Sequence, residues 1–155
     1  MITRMTYLSH SPEDTQEFAR KQALRLVEES SGQPIVIALE GELGAGKTTF
    51  TQAFATVLGV HENVKSPTFV LMKHYKLTNV INYHTLYHLD CYRLNNSADL
   101  LSLGTSDIIQ RAGNIVLIEW AERVADILPK SHWVVHIDHV AEHDRNIKIE
   151  LRSKN

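Results

Sequence analysis

The sequence lacks the features that mark secreted, membrane-spanning and zinc-binding proteins. Its single cysteine, Cys91, cannot form a disulfide within the chain, which favours a reducing compartment. No uninterrupted apolar run approaches the roughly 20 residues that a membrane-spanning helix needs. The first residues do not lead into the apolar segment of a signal peptide, and there is neither a His-Glu-x-x-His motif nor a cysteine pair. We therefore expect a cytoplasmic protein that does not contact membranes.

An excess of charge of one sign is also missing. The formal net charge of the 155 residues is −2, which argues against a broad basic surface for nucleic acids. Internal repeats, low-complexity tracts and linkers rich in proline or glycine are absent, so residues 1–155 are predicted to form a single domain. With 43% hydrophobic residues, that domain can bury a substantial core.

The apolar patterning predicts an α/β fold with two long helices. Ser11 and Pro12 suit the first turn of a helix that runs to about residue 29. A second amphipathic helix is predicted after residue 46, ending near Gly59. Compact apolar runs at residues 35–39 and 115–118 predict buried strands.

The remaining segments predict a mixed sheet rather than a purely parallel one. Residues 3–8 favour a short strand, and residues 69–76 and 80–90 favour a hairpin. Short helices are predicted at residues 98–103 and 107–111. Alternating apolar residues predict a C-terminal antiparallel hairpin, on one side Trp133, Val135 and Ile137, and on the other Ile147, Ile149 and Leu151.

One glycine-rich segment between a predicted strand and helix matches the phosphate-loop pattern G-x-x-x-x-G-K-[ST]. The segment is Gly41-Glu42-Leu43-Gly44-Ala45-Gly46-Lys47-Thr48, and Thr49 follows it. Its glycines allow successive backbone N–H groups to point at a phosphate, and the following helix adds the positive end of its dipole. Lys47 can reach the β- and γ-phosphates, and the Thr48 hydroxyl can ligate Mg²⁺. The segment therefore predicts binding of ATP with Mg²⁺, in a P-loop NTPase-like fold.

Two carboxylates follow predicted strands and are candidates for the catalytic acid groups. Asp90 is the candidate for holding Mg²⁺, and Glu119 for orienting the attacking water or holding the metal. The residues alone do not decide which of the two dominates each task. Thr68 lies where P-loop switch proteins sense the γ-phosphate. Arg93 is either a transition-state cation or a surface ion-pair partner.

Four blocks in this order resemble one family, the bacterial tRNA threonylcarbamoyladenosine biosynthesis proteins TsaE (YjeE). They are the phosphate loop with Thr49 and Phe50, the segment Val64-Lys65-Ser66-Pro67-Thr68-Phe69, the segment His88-Leu89-Asp90-Cys91-Tyr92-Arg93-Leu94, and Ile118-Glu119-Trp120. The likeness covers nearly the whole chain, and the second and third blocks are more specific than the phosphate loop. Leu89, Cys91 and Ala121 depart from the usual family residues, but none of these changes removes a functional group.

The resemblance implies a cytoplasmic ATPase that supports threonylcarbamoylation of the adenosine next to the anticodon. In that family TsaD, acting with TsaB, carries out the modification, and ATP hydrolysis by the TsaE-type protein resets their complex. Direct tRNA binding is not expected as the main task of this slightly acidic chain. By position, the resemblance assigns Lys47 and Thr48 to the Walker A motif, Asp90 to Walker B, Thr68 to the switch, Glu119 and Trp120 to the γ-phosphate side, and Thr15 to the nucleotide base.

Other classes of nucleotide-binding protein fit less well. A small kinase would need a basic lid over the phosphates, and no arginine-rich lid is found. A GTPase would carry the Asn-Lys-x-Asp motif, which is absent. A nucleotide-sensing adaptor that binds ATP and barely hydrolyses it remains open. The lack of an obvious arginine finger predicts slow turnover by the chain alone, with activation by a partner.

Overall fold

The computed structural model describes residues 2–42, 44–67 and 69–153. Its strands are β1 (Arg4–Ser9), β2 (Ile35–Glu40), β3 (Met72–Lys76), β4 (Thr85–Asp90), β5 (Asn114–Glu119), β6 (Ser131–His139) and β7 (Arg145–Ser153). Its helices are α1 (Pro12–Ser30), α2 (Lys47–Val57), α3 (Ala98–Leu101) and α4 (Thr105–Ile108), with a 3-10 segment at Ala121–Ile127. The strands form one mixed sheet in the order β1-β7-β6-β2-β5-β4-β3, which confirms the predicted α/β class.

The centre of the sheet is parallel and its edges are antiparallel. Strand β2 pairs in parallel with β5 and β6, and β5 pairs in parallel with β4. Antiparallel pairing joins β3 to β4, β6 to β7 and β1 to β7, so the predicted C-terminal hairpin is confirmed. Because β2, β5 and β4 run the same way, their carboxyl ends lie at one edge of the sheet.

Both faces of the central strands are buried. Ile37 packs with Phe50 and Phe54 of α2 on one face, and Val36 packs with Val124 of the 3-10 segment on the other. Successive residues of a strand point to opposite faces, so a strand covered on both sides needs a continuous apolar run. This explains why β2 and β5 stand out in the sequence.

The two long helices begin where the sequence predicts. The Ser11 hydroxyl accepts a hydrogen bond from the Asp14 amide at 3.0 Å, and Pro12 occupies the first turn of α1. Helix α2 begins at Lys47 after Gly46, whose φ of 110° places it in the left-handed region. That conformation favours glycine, which has no Cβ.

The predicted hairpin at residues 69–76 and 80–90 is correct in its pairing but wrong in its length. The structure instead folds residues 69–71 into a turn in which the backbone N–H groups of the last two bond to the carbonyl of Pro67. Residues 80–84 form a loop, in which the Tyr83 hydroxyl donates to the Gln33 carbonyl at 2.6 Å. Phe69 and Ile81 in these segments are 85% and 84% exposed, so their apolar character does not mark a buried strand.

The shorter helices are also trimmed or shifted. Helices α3 and α4 are one turn each, and the 3-10 segment after Trp120 was not predicted. None of the helices in the described part of the chain combines the length and the apolar character that crossing a bilayer requires.

Candidate functional site

The glycine-rich loop connects the carboxyl end of β2 to the first turn of α2. Gly41 has a φ of 143°, and a Cβ added there would collide with the backbone carbonyl of Ile137 in β6. At Gly46 a Cβ would meet no atom within 4 Å, so there is open space in front of the helix. Glycine is favoured at this position by its positive φ of 110° and not by crowding. An open approach to a helix N-terminus suits an anionic ligand. Leu43, predicted as part of this loop, lies outside the described residues.

Lys47 lies across the loop. Its ammonium donates to the Gly41 carbonyl and, at 3.2 Å, to the Glu42 carbonyl. The same Nζ is 4.4 Å from the ring centroid of Trp120. Burial lowers the pKa of Lys47, and nearby negative charge, chiefly from Glu119, opposes that shift. The lysine is thus a nearly buried cation that a phosphate can contact.

The two candidate carboxylates lie side by side. Asp90 ends β4 and Glu119 ends β5, and the parallel register places them directly opposite one another. Asp90 is four residues from Leu86 and Glu119 is two residues from Leu117. Because both leucines pack on the α2 face of the sheet and even spacing keeps side chains on one face, both carboxylates belong to that face. Asp90 is 5% exposed and Glu119 is 3% exposed.

Different neighbours hold the two carboxylates. Asp90 accepts a hydrogen bond from the Tyr92 amide at 2.9 Å on Oδ1, and one from the Ser66 hydroxyl on Oδ2. Glu119 pairs through Oε2 with Nε2 of His88 at 2.7 Å. His88 is 1% exposed, and its Nδ1 has no hydrogen-bond partner among the described residues.

Sequence reasoning missed the role of His88. In the sequence it stands out only as the first residue of one of the four family-like blocks. The useful signal was its position two residues before Asp90, which places it on the same face as that carboxylate. Its pairing with Glu119 depends on the register between β4 and β5, which the sequence does not state.

A cavity of about 460 Å³ lies where these groups meet. The phosphate loop, both carboxylates and two aromatic side chains line it: Glu42, Gly44, Gly46, Lys47, Thr48, Thr49, Ser66, Asp90, Tyr92, Glu119 and Trp120. Nearly all of the predicted phosphate-side residues therefore come together. Ala45 is 1% exposed and contributes to the core beneath the loop, and Thr68 lies outside the described residues.

The donor set around this cavity suits Mg²⁺ in a phosphate complex. No group of three or more His, Cys, Asp or Glu side chains that could hold a metal ion occurs within the described ranges. Mg²⁺ rarely needs such a cage, because it is usually bound by one or two carboxylates together with waters and phosphate oxygens. Asp90 and the exposed Thr48 hydroxyl offer oxygens of this kind.

A second cavity of about 260 Å³ lies on the other side of the phosphate loop. Thr15 is in its wall, and Gly44, Gly46 and Thr49 border both cavities. The Thr15 hydroxyl lies 2.7 Å from the hydroxyl of Ser9 at the end of β1. Thr15 therefore lies beside the phosphate loop, and its contact with the nucleotide base stays a prediction. The turn between β6 and β7, with the first residue of β7, completes this wall with residues that the sequence did not suggest, Glu142, His143 and Arg145.

Comparisons with known proteins agree on one family. The family model "Threonylcarbamoyl adenosine biosynthesis protein TsaE" matches residues 9–147. A tRNA threonylcarbamoyladenosine biosynthesis protein TsaE from Treponema pallidum is 36% identical, over 94% of this chain and 99% of its own length. The protein of the same name from Bacillus subtilis is 35% identical, over 94% and 85%. The crystal structure of Bacillus subtilis YdiB superposes with a TM-score of 0.72 at 29% identity, covering 100% of this chain and 89% of that chain.

Proposed function

Because the chain belongs to the TsaE family of tRNA threonylcarbamoyladenosine biosynthesis proteins, we propose that it is a cytoplasmic ATPase acting on a complex of TsaD and TsaB. In this proposal it hydrolyses ATP to reset that complex and does not transfer the threonylcarbamoyl group itself. The observation that carries the proposal is the cavity in which the phosphate loop faces two buried carboxylates.

Nucleotide binding would use both cavities beside the loop. The phosphates would lie over Gly44 and Gly46, where backbone N–H groups and the N-terminus of α2 favour negative charge. Lys47 would exchange its two carbonyl contacts for the β- and γ-phosphate oxygens. The base would lie toward Thr15, in the cavity on the other side of the loop.

Hydrolysis would divide between the two carboxylates. Mg²⁺, held by the Thr48 hydroxyl and Asp90, would neutralise charge that develops on the phosphate oxygens. Glu119 would orient the attacking water, since its position opposite Asp90 brings it to the same edge of the cavity. His88 would keep that carboxylate in place through its hydrogen bond.

We expect a need for a partner because few cationic side chains line the cavity. Among its described lining residues Lys47 is the only basic side chain, and no arginine is present. P-loop NTPases without an arginine finger in cis hydrolyse slowly and depend on a partner for this charge. We therefore expect slow hydrolysis by the chain alone and faster hydrolysis with TsaD and TsaB.

Phosphate release from Mg-ATP tests the proposal. The wild type should release phosphate slowly, and adding the TsaD–TsaB pair should accelerate release. Lys47→Ala should lose ATP binding, stimulated hydrolysis and support for tRNA modification, whereas Lys21→Ala, at an exposed lysine of α1, should behave as the wild type. Normal tRNA modification with Lys47→Ala would defeat the ATPase assignment. No response to the pair, in a preparation that binds ATP, would favour a nucleotide-sensing adaptor.

A further inference from the structure

Two arginines near the phosphate cavity form no ion pair with a carboxylate of the described chain. Arg93 and Arg123 are exposed, and neither has a carboxylate oxygen within 4.0 Å among the described residues. Of the other six arginines, four form such pairs, namely Arg20, Arg25, Arg111 and Arg152, whereas Arg4 and Arg145 form none with a described carboxylate. The sequence left Arg93 open between a surface ion pair and a functional cation, and no carboxylate of the described residues pairs with it.

Aromatic rings contact both guanidinium groups, and Arg123 also donates to the Leu94 carbonyl at 3.4 Å. Arg93 lies 4.9 Å from the ring centroid of Phe69, and Arg123 lies 5.6 Å from that of Tyr92 and 5.7 Å from that of Trp120. The Tyr92 and Trp120 rings are 5.0 Å apart. We call this set of five side chains the arginine ledge. Stacking on a ring fixes a guanidinium without neutralising its charge.

The composition of the arginine ledge is typical of a protein-binding surface. Arg, Tyr and Trp are the residues most enriched at the energetic centres of interfaces. Phe69 is 85% exposed, and the neighbouring Val70 is 57% exposed, so apolar area is offered to solvent beside the two charges. Single exposed apolar residues are common on protein surfaces. A large exposed ring beside two arginines that form no ion pair with a described carboxylate is typical of a binding surface.

Charge identifies the partner chemistry. We propose that the arginine ledge docks a segment of the partner protein that carries carboxylates for Arg93 and Arg123 and an apolar side chain for Phe69. A nucleic acid strand is less suited, because a chain with a net charge of −2 offers no broad basic surface for a run of phosphates, and a nucleic acid offers no aliphatic side chain for Phe69. This inference rests on the proposed function, since it locates the surface used by the activating partner.

The ledge is connected to the phosphate cavity through two routes. Tyr92 and Trp120 line the cavity themselves. The turn that carries Phe69 follows Ser66, whose hydroxyl donates to Asp90. A partner bound to the ledge would thus contact the segment that positions the proposed Mg²⁺ ligand.

Charge reversal at the ledge tests the inference. Arg93→Glu and Phe69→Ala are made in the full chain, and affinity for the TsaD–TsaB pair is measured together with ATP affinity and basal phosphate release. The matched controls are Arg111→Glu and Ile81→Ala, which change exposed residues of the loops that precede β5 and β4, at the opposite ends of those strands. The ledge variants should weaken partner binding by about tenfold or more, with ATP affinity and basal release unchanged.

Each other outcome is decisive. Unchanged partner affinity in both ledge variants, with a wild type that binds the pair, would overturn the docking surface but leave the ATPase proposal intact. A fall in basal hydrolysis with unchanged partner affinity would mean that Arg93 acts on the phosphates in cis, which also overturns it. A loss of tRNA affinity alone would identify an RNA surface instead. A wild type that neither binds nor responds to the pair would defeat the proposed function, and the docking inference with it.

Discussion

Replacing His88 tests how strongly the buried pair with Glu119 holds the site. Both side chains are almost fully buried, and their N–O distance is 2.7 Å. His88→Leu keeps a similar volume and removes the donor, and breaking a buried pair in this way costs about 3–5 kcal/mol. Glu119 also lines the cavity, where water can reach it. We therefore expect a loss near the lower end, about 3 kcal/mol.

His88→Gln is the matched variant, because a glutamine amide can donate to Glu119 from nearly the position of Nε2. Its loss should be about 1 kcal/mol, the net value of an altered hydrogen bond. Combining His88→Leu with Glu119→Gln should cost less than the sum of the single changes, since a neutral amide tolerates the lost partner better than a carboxylate.

The measurement is urea unfolding at neutral pH with the slope m compared among variants, alongside the rate of phosphate release. Domains of this kind have a stability of about 5–15 kcal/mol, so a loss of about 3 kcal/mol is readily resolved. If Glu119 orients water, the rate should fall in the leucine variant and be largely kept in the glutamine variant, with little change in KM. Equal free energies of unfolding for His88→Leu and His88→Gln, within about 0.5 kcal/mol, would refute the reasoning.

Three further predictions concern other parts of the structure. Gly41→Ala should destabilise the fold by about 3 kcal/mol or more, because it combines a positive φ with a backbone collision. Gly104→Ala has a positive φ but open space around it, so it should cost only about 1 kcal/mol. The urea midpoints of the two variants measure this difference. Partial burial opposes the charged form of His136, but two hydrogen-bonded carboxylates raise its pKa above 6.5. The wild type should therefore be more stable than His136→Gln at pH 5.5–6, and this advantage should decline as the pH rises through the raised pKa. Unfolding at a series of pH values measures it. Burial raises the pKa of Cys91 to about 12, so a thiol reagent should label it only after unfolding, and rapid labelling of the native chain would contradict its burial.

The parts of the fold that could be predicted from sequence are those determined by local physics. The phosphate loop needs glycines at positions with positive φ, and Gly41 and Gly46 supply them within one short segment. Strands β2 and β5 are covered on both faces, so each appears as an uninterrupted apolar run. The position of Glu119 at a strand end followed from the second of these runs, and that of Asp90 from the strand predicted over residues 80–90.

The parts that could not be predicted depend on pairing between distant segments. His88 and Glu119 are separated by 31 residues, and only the parallel register of β4 and β5 brings them together. The wall around Thr15 is completed by the turn between β6 and β7, which reaches the first helix through antiparallel pairing of β7 with β1. Apolar patterning restricts which face a strand buries, but it does not specify which strand lies beside it.

The two carboxylates share a strand register but have different supports, so a bound partner would affect them differently. A one-residue slip of β4 against β5 would move Asp90 to the opposite face from Glu119, so the sheet fixes the relation between the two. Their other supports differ, however: Glu119 is held by His88 from within the sheet, whereas Asp90 also accepts from Ser66 in the connection before β3. A partner that shifts this connection would therefore disturb the proposed Mg²⁺ ligand and leave the proposed water-orienting carboxylate in place. Activation by docking is thus expected to change metal and phosphate binding more than the position of Glu119.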